Sequence, residues 1–340
     1  MGLTPGAPVD LVDGFGRVVR DLRISVTDRC NFRCTYCMPA EGMEWLPRSE
    51  VLTFEEIERL ARVFVERFAV DGIRLTGGEP TVRAHLPVLV RKLAALRLPD
   101  GRTPDLSLTT NGSMLRNMAH ELRDAGLQRV NVSLDTLDRE RFLAMTRRDE
   151  LDRVLDGIEA AKEAGFAPVK VNAVVQRGVN DDEIVALARY GREAEVEVRF
   201  IEFMPLDAEG HWRPDAVVGQ DEIVAAIDAV FPLRPAEARG AAPADRWDYV
   251  DGQGSVGVIP SVTKPFCADC DRVRLTAEGQ FRTCLFATEE TDLLRPLRAG
   301  ASDDELMAVI QRAVGAKWAG HQINQVTFVK PRRTMSQIGG

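Results

Sequence analysis

The chain has 340 residues, of which 45% are hydrophobic and 28% are charged, and its formal net charge is −8. This composition is typical of a soluble globular protein with a sizeable core. The acidic balance argues against an open nucleic-acid-binding surface, although it leaves room for a local basic pocket. No stretch approaches the roughly 18 consecutive apolar residues of a membrane helix, and residues 1–20 lack the pattern of a secretory signal. We therefore expect a cytoplasmic protein without a membrane or nucleic-acid partner, in which structural disulfides are rare.

From Arg20 to Arg199, short β-rich runs alternate with stretches of helical periodicity. Several of the strands are apolar on both faces, as in a parallel sheet covered by helices. The predicted strands are Leu22–Thr27, Ile73–Thr76, Leu106–Thr110, Val130–Leu134, Val169–Val175 and Val196–Phe203. The predicted helices are Phe54–Phe68 (with a capping box formed by Thr53 and Glu56), Leu86–Leu96, Met114–Ala125, Leu151–Ala164 and Asp181–Arg192. Six β–α units predict a parallel barrel or a wound sheet, with the chemistry at the carboxyl ends of the strands.

The pattern changes after Phe203, where a loop-like stretch leads to a predicted helix, Asp221–Val230, and to a segment rich in Pro, Ala and Gly, Arg234–Asp245. Short strands are predicted beyond this segment, at Gly257–Ser261, Val273–Thr276 and Phe281–Leu285. We therefore divide the chain into an N-terminal segment (1–20), an α/β domain (21–235) and a C-terminal domain (236–340).

Cys30, Cys34 and Cys37 follow the first predicted strand with the spacing C-x3-C-x2-C. Thiolates are the natural ligands of iron–sulfur clusters, and three thiols in one loop hold three corners of a cubane cluster. The fourth iron is then open to a small molecule. A structural zinc site is the alternative, but it usually requires four ligands, and no His lies near this loop. The spacing favours a [4Fe-4S] cluster.

Cys267, Cys270 and Cys284 form a second group with the spacing C-x2-C-x13-C. By itself this group fits half of a zinc ribbon nearly as well as a cluster, whereas disulfides suit an odd set of cytosolic thiols poorly. The histidines match no ligand spacing, so we interpret them as surface or structural residues. They are His85, His120, His211 and His321.

The first cysteine loop, Cys30-Asn-Phe-Arg-Cys34-Thr-Tyr-Cys37, resembles the signature of the radical S-adenosylmethionine superfamily. Gly77-Gly78-Glu79-Pro80, after the second strand, matches the second landmark of that superfamily. From Asp21 onward the whole chain resembles the GTP 3′,8-cyclase family of molybdenum-cofactor biosynthesis. The resemblance is carried by RLTGGEPTVR, LTTNG, NVSLDTLD, VKVNAVV, VRFIEFMP, KPFCADCDRVRLT and the closing GG.

The resemblance implies an incomplete (β/α)6 TIM-like barrel whose open side is closed by a C-terminal iron–sulfur region. It also implies two [4Fe-4S] clusters, one on each cysteine group. The open iron of the first would bind S-adenosylmethionine, which one electron cleaves to methionine and a 5′-deoxyadenosyl radical. The open iron of the second would bind the guanine ring of GTP.

Individual site residues follow from the same resemblance. It implies a catalytic role for Cys30, Cys34, Cys37, Arg272 and Arg274. It assigns contacts with S-adenosylmethionine to Tyr36, Gly78, Ser133 and Met204. It assigns contacts with GTP to Arg23, Arg74, Thr109, Lys170, Arg199, Arg272, Val273 and Arg274. The closing Gly339-Gly340 would reach into the active site, although a disordered terminus is the other interpretation.

The basic residues also have an interpretation that does not need the family. Arg23, Arg74, Lys170 and Arg199 lie in predicted strands that are otherwise rich in apolar residues. A buried charge is expensive unless it is paired, and a triphosphate would supply the pairing. The alternative, equally compatible with the residues alone, is that these side chains face outward or meet carboxylates such as Glu79 or Glu202.

The implied activity is the conversion of GTP to (8S)-3′,8-cyclo-7,8-dihydroguanosine 5′-triphosphate, the first step of molybdenum-cofactor biosynthesis. The implied partners are a flavodoxin- or ferredoxin-type electron donor and, downstream, cyclic pyranopterin monophosphate synthase, and we expect a monomer or homodimer. Two alternatives are a radical enzyme that modifies a peptide and an electron-transfer or zinc-bound scaffold protein. The first would usually have more C-terminal cysteines, and the second leaves Gly77–Pro80 unexplained.

Overall fold

The computed structural model describes residues 8–323, 325–326 and 328–339. Its strands are β1 Asp21–Ser25, β2 Gly72–Thr76, β3 Asp105–Thr110, β4 Arg129–Ser133, β5 Lys170–Val175, β6 Glu197–Glu202, β7 Leu233–Pro235, β8 Asp245–Tyr249, β9 Ser255–Ile259, β10 Arg272–Leu275, β11 Gln280–Arg282 and β12 Thr291–Asp292. Its α-helices are α1 Phe54–Arg62, α2 Leu86–Ala94, α3 Ala119–Asp124, α4 Arg139–Thr146, α5 Leu151–Glu163, α6 Ile184–Glu193, α7 Gln220–Asp228, α8 Leu294–Arg298, α9 Asp303–Gly315 and α10 Met335–Ile338. Among the described residues, no helix is long and apolar enough to cross a membrane.

All twelve strands form one sheet, in the order β12-β11-β10-β1-β2-β3-β4-β5-β6-β9-β8-β7. The six strands β1 to β6 are parallel neighbours in sequence order, as the β–α alternation predicts. The C-terminal part of the chain extends both edges, because β10 pairs parallel with β1 and β9 pairs parallel with β6. Within the described residues the sheet does not close on itself, which fits a partial barrel. The sheet runs without a break across the domain boundary that we place near residue 235.

The six central strands and the capping box at Thr53 are confirmed. The predicted helix Met114–Ala125 is wrong in its first half: a 3₁₀ turn precedes α3, because the backbone of Met118 leaves the helical region at φ −142°. The predicted strand Gly257–Ser261 is displaced, since Pro260 cannot donate to a ladder and the strand ends before it.

Two further differences from the predicted strands lie near the C-terminal region. The strand predicted at Phe281–Leu285 ends at Arg282, where the Arg282 side chain folds back to donate to Leu285 O at 3.2 Å. The antiparallel strands β7 and β8 are not among the predicted strands, and they lie at the two ends of the segment rich in Pro, Ala and Gly. Most of their residues are at least partly exposed, so they carry little of the apolar signal on which strand prediction depends.

Side-chain alternation along β1 separates the core from the open face of the sheet. Leu22 and Ile24 are completely buried in the apolar core, whereas Arg23 between them points to the other face. The register places Arg23 beside Arg74 of β2 and Arg274 of β10. Three neighbouring strands therefore present an arginine at the same level of the sheet, and we call these three residues the arginine row.

Phe281 of β11 packs against the helical layer and so joins the C-terminal strands to it. Its side chain is 1% exposed, and its ring centroid lies 5.6 Å from that of Phe64, in the π-helical turn that continues α1. Phe64 is in turn 6.2 Å from Phe68. The contact joins segments that are far apart in sequence into one core.

We expect Phe281→Ala to lower the free energy of unfolding by about 3–5 kcal/mol, because it leaves a cavity in this core. Phe15→Ala, at a position that is 60% exposed, is the matched control, and we expect it to cost less than about 1 kcal/mol. Urea titrations at equal iron content measure both. Equal midpoints for the two variants would contradict the assignment of Phe281 to the shared core.

Candidate active site

One cavity, of about 320 Å³, lies at the carboxyl ends of the parallel strands and has a volume typical of small-molecule sites. It collects all six cysteines, which are free and half-buried: Cys30, Cys34, Cys37, Cys267, Cys270 and Cys284. The two groups are 230 or more residues apart in the chain, and the parallel pairing of β10 with β1 is what brings them together.

The first cysteine loop follows β1 and is supported from below by the turn after β2. Gly78 N donates to Thr27 O at 2.8 Å and Glu79 N donates to Arg29 O at 2.7 Å. A Cβ on Gly78 would lie 2.5 Å from Asp28 O, so only glycine allows this approach. Gly78 thus sets the height of the cysteine loop above the sheet.

Burial dominates the electrostatics of the first three thiols. It raises the pKa of Cys30 to about 12 and that of Cys37 to about 11, and it raises the pKa of Cys34 well above its usual range. Thiolates in such a place need a positive ion as partner, and iron in a cluster supplies one. Within the described residues, no three His, Cys, Asp or Glu side chains are close enough to bind a single metal ion. Three free thiols in one buried loop match the ligand type and number that hold three corners of a cubane cluster, so the donor set fits a cluster.

The predicted contacts of S-adenosylmethionine all line this cavity. Ser133 ends β4, and Met204 follows β6. The hydroxyl of Tyr36 donates to Asp135 Oδ2 at 2.7 Å, and Asp135 Oδ1 accepts from Val174 N at 2.8 Å. Burial raises the pKa of Asp135 to about 6. Sequence reasoning missed Asp135, although it lies inside the NVSLDTLD motif, two residues after Ser133.

Glu79 and Glu202, the carboxylates offered as alternative partners for the basic residues, are engaged elsewhere. Glu79 accepts hydrogen bonds from Thr81, from Thr110 Oγ1 at 2.7 Å and from Asn111 N at 2.6 Å. Glu202 accepts from Gln220 N at 3.0 Å and from the backbone at residues 262 and 263, at 2.8 Å each. Both carboxylates therefore tie loops together at the rim of the cavity.

The arginine row faces the cavity without a matching set of carboxylates. Arg23 Nε and Arg74 Nε are buried and have no hydrogen-bond partner among the described residues. The carboxylate nearest to Arg23 Nε is Asp21 Oδ1, at 3.9 Å. Arg272, two residues before Arg274 on β10, likewise has a buried Nη2 without a partner in the described part of the chain. These guanidinium groups are arranged to receive an anion that the protein does not provide.

Burial and mutual repulsion lower the pKa of the buried basic groups. The pKa of Arg23 falls to about 10 through burial, with Arg74 and Arg272 adding to the effect. That of Arg74 also falls to about 10, and that of Lys170 falls to about 8 through burial and the charge of Arg199. A bound anion would reverse these shifts.

The remaining predicted GTP contacts differ in whether their side chains reach the cavity. Thr109 and Arg199 line the cavity, and Arg199 Nε also donates to Glu197 Oε1 at 2.5 Å. Lys170 lies two residues before Asn172 on β5, deeper in the sheet, and is not among the residues that line the cavity. The Val273 side chain is completely buried in the apolar core, so only its backbone is available to a ligand.

The second cysteine group is held by two cations that sequence reasoning missed. Arg17 donates to Cys267 O at 2.5 Å and to the carbonyls of Trp318 and Ala319 at 2.5 and 2.7 Å. Lys317 Nζ donates to Cys270 O at 3.1 Å and lies 3.7 Å from Cys270 Sγ. Neither cation is near the cysteines in sequence, so no spacing rule would find it.

His321, which we interpreted as a surface or structural residue, lines the cavity beside the second cysteine group. Its ring packs edge-on against Phe286, with centroids 5.2 Å apart. Burial lowers its pKa, which favours the neutral imidazole. Ligand spacing was the only signal applied to the histidines, and it does not detect a residue that contacts a site without ligating it.

The C-terminal tail enters the same cavity. Met335 and Ser336 line it, and the Gly339 carbonyl accepts a hydrogen bond from Arg274. A Cβ on Gly339 would lie 2.5 Å from Ser25 Oγ, so this close approach requires glycine. Gly340, the other residue of the predicted Gly-Gly tail, lies outside the described residues.

Comparison with known families agrees with this geometry. Residues 24–191 match the family model described as Radical SAM superfamily, and residues 196–323 match the one described as Molybdenum Cofactor Synthesis C. Among curated proteins, the GTP 3′,8-cyclase of Streptomyces coelicolor is 50% identical, over 97% of this chain and 96% of its own. Those of Mycobacterium marinum and Corynebacterium glutamicum are 51% and 50% identical, over 98% and 97% of this chain and 94% and 89% of their own. The chain belongs to the GTP 3′,8-cyclase family of radical SAM enzymes.

Solved structures support the fold of this family member. Streptococcus suis SuiB bound to S-adenosylmethionine superimposes with a TM-score of 0.61 over 94% of this chain and 77% of its own, at 13% identity. At this level of identity the likeness concerns the fold alone. It agrees with the α/β architecture that the β–α pattern predicts.

The contrast between the cysteines of this family member predicts a difference in reactivity. Burial tends to raise the pKa of Cys270, but the charges of Arg272 and Lys317 outweigh it and lower that pKa to about 7. At pH 8 about nine-tenths of Cys270 is then thiolate in the iron-free protein, against roughly a thousandth of Cys37. The larger thiolate fraction favours Cys270, but a thiolate of low pKa is a weaker nucleophile, which offsets part of this advantage. We therefore expect alkylation of Cys270 by iodoacetamide to be roughly 10–100-fold faster than that of Cys37.

Mass spectrometry of alkylated peptides measures these rates. The rate at Cys270 should level off above about pH 8, because its thiolate fraction is nearly complete there, whereas the rate at Cys37 should still be rising at pH 9. Cys284, whose pKa burial raises, is the control within the same group. Equal rates at Cys270 and Cys284 would contradict the electrostatic assignment.

Proposed function

We propose that this protein converts GTP to (8S)-3′,8-cyclo-7,8-dihydroguanosine 5′-triphosphate in the first step of molybdenum-cofactor biosynthesis. The observation that carries the proposal is a single cavity that contains both cysteine groups and, beside them, buried guanidinium groups without hydrogen-bond partners among the described residues. The names of these curated relatives support the same reaction.

We propose two [4Fe-4S] clusters, one on Cys30, Cys34 and Cys37 and the other on Cys267, Cys270 and Cys284. With S-adenosylmethionine bound, the first cluster would supply the one-electron chemistry that yields a 5′-deoxyadenosyl radical. Tyr36, Gly78, Ser133 and Met204 are the proposed contacts of S-adenosylmethionine. Asp135 fixes the hydroxyl of Tyr36 and so orients this wall of the cavity.

The triphosphate of GTP is the proposed partner of the basic residues. Arg23, Arg74 and Arg274 present guanidinium groups at one level of the sheet, and phosphate oxygens accept such donors in pairs. Arg272, the backbone of Val273, Thr109 and Arg199 extend the same site. Lys170, deeper in the sheet, would join it through charge and would regain its ordinary pKa when a phosphate is bound.

In this reaction the protein positions GTP relative to the radical and limits the access of water to the site. The sheet must hold one ribose hydrogen of GTP within van der Waals reach of the radical carbon, and guanine C8 within reach of C3′. The guanine ring is the proposed ligand of the open iron of the second cluster. The tail from Met335 to Gly339 lies in the cavity and reduces access of water to a reactive intermediate.

The reaction also needs partners. The proposed source of electrons is a flavodoxin- or ferredoxin-type donor, and the proposed consumer of the product is cyclic pyranopterin monophosphate synthase. All six cysteines are free, which suits a reducing compartment such as the cytoplasm.

The proposal is tested by anaerobic turnover. The protein is reconstituted with iron and sulfide, reduced with dithionite and given S-adenosylmethionine with or without GTP. We expect 5′-deoxyadenosine to increase strongly with GTP, together with a cyclised nucleotide detected by chromatography and mass spectrometry. The reason is that the radical is formed productively only when its hydrogen donor occupies the cavity.

Two outcomes would contradict the proposal in different ways. Cleavage of S-adenosylmethionine that is indifferent to GTP would retain the radical enzyme but reject the substrate, and would favour a peptide substrate. Absence of cleavage at about eight irons per chain, the number in two cubane clusters, would reject the radical chemistry itself.

Substitution of Arg74 separates a binding role from a structural one. Loss of charge-assisted hydrogen bonds to phosphate in Arg74→Met should raise the KM for GTP by roughly 10–100-fold and leave the affinity for S-adenosylmethionine unchanged. Without GTP, the same change removes a buried charge that has no hydrogen-bond partner at Nε among the described residues, so the free energy of unfolding should rise by roughly 1–3 kcal/mol. Steady-state kinetics and urea titration measure the two effects.

Arg102→Met, in an exposed turn, is the matched control and should change neither quantity. If Arg74 instead stabilised the fold, Arg74→Met should lower the free energy of unfolding. An Arg74→Met variant that is destabilised and retains its KM for GTP would therefore exclude the arginine row from the GTP site.

A further inference from the structure

Lys317 is a buried cation next to the second cysteine group. Two residues after the end of α9, it is only 3% exposed. Its Nζ donates to Arg272 O at 2.7 Å and to Cys270 O at 3.1 Å, and lies 3.7 Å from Cys270 Sγ. No carboxylate in the described part of the chain lies within ion-pair distance of it.

Two neutral carbonyls do not neutralise a buried ammonium ion. Removing such an ion from water costs several kcal/mol unless an opposite charge offsets it. The nearest group that can become negative is the sulfur of Cys270, which lies 3.7 Å from Lys317 Nζ. The placement of Lys317 is therefore explained by a negative charge at this sulfur.

The chain around Lys317 is built to keep it in place. Arg17 holds the carbonyls of Trp318 and Ala319, and Gly320 lies so close to Cys267 that a Cβ would be 2.9 Å from Cys267 Cβ. The segment 317–320 thus contacts both cysteines of the C-x2-C pair. Because residues 318–320 are held in this way, the Lys317 ammonium group lies at a fixed place beside the Cys270 sulfur.

We propose that Lys317 is a positioning residue of the second iron–sulfur site, where its ammonium ion is the counter-charge of the Cys270 thiolate and raises the reduction potential of the cluster. The inference rests on the proposed second cluster. Reduction adds one electron and hence one negative charge to the cluster, and a fixed cation beside a ligating sulfur stabilises the more negative state. Hydrogen bonding to the Cys270 and Arg272 carbonyls alone would not have this effect.

The experiment isolates the second site in the full-length chain by the background substitutions Cys30→Ala, Cys34→Ala and Cys37→Ala. Lys317→Met, Lys317→Gln and Lys317→Arg are made in this background, with Lys92→Met, a surface lysine paired with Glu58, as the control. Each variant is reconstituted anaerobically, its iron is counted, and its midpoint potential is measured by a redox titration followed by electron paramagnetic resonance. Neither readout depends on turnover.

We expect Lys317→Met and Lys317→Gln to have a more negative midpoint potential than the parent, and Lys317→Arg and Lys92→Met to remain near it. Glutamine separates the two roles of Lys317, because it can still donate to the carbonyls but carries no charge. A parent-like potential in the glutamine variant would overturn the proposal. If both neutral variants fail to hold iron, retention of iron and potential by Lys317→Arg supports the counter-charge, and loss of iron in all three overturns it.

The parent protein distinguishes failure of this inference from failure of the proposed function. About four irons per chain are expected in the background that retains only the second group. If this parent binds no cluster, the two-cluster proposal is wrong. If it binds one whose potential is insensitive to the charge at position 317, only the role of Lys317 is wrong.

Discussion

The structure is organised around arginines that have no anion of their own. Arg23, Arg74 and Arg274 stand side by side on three parallel strands, and like charges in register repel one another across a sheet. A fold that served stability alone would place apolar or paired residues at these positions. Leu22 and Ile24, on the other face of β1, are completely buried in the apolar core. The burial of this core stabilises the fold and offsets the repulsion among the arginines. Stability and ligand binding thus make opposite demands on alternate residues of β1.

Much of this arrangement could be predicted from the sequence, because it is local. Strands apolar on both faces are recognisable by composition, whereas the residues alone left open whether Arg23 faces outward, and only the structure places it at the cavity. The loop with three cysteines after β1 is a spacing pattern within eight residues. A glycine at position 78 fits a turn, but only the structure shows that a Cβ there would collide with the backbone oxygens of Asp28 and Arg29.

What the sequence could not predict is the meeting of segments that are distant in the chain. The order of the sheet places β10 beside β1, and no periodicity in either strand encodes that choice. The second cysteine group is completed by Arg17 from the first segment and by Lys317 and His321 from beyond α9. Each of these residues has an ordinary sequence context. Their relation to Cys267 and Cys270 exists only once the sheet has formed.

The distribution of charge over the whole molecule gives the cavity its selectivity. The formal net charge is −8, and most described surface cations are paired with carboxylates, as Arg116 is with Asp156. At physiological ionic strength the screening length is about 8 Å, so a large polyanion lying on the surface meets an acidic protein and is separated from the buried arginines. A small anion that enters the cavity meets those arginines at close range and in a medium of lower dielectric constant, where their attraction is strong. Burial of the basic groups therefore favours anions small enough to enter the cavity over polyanions that stay on the surface.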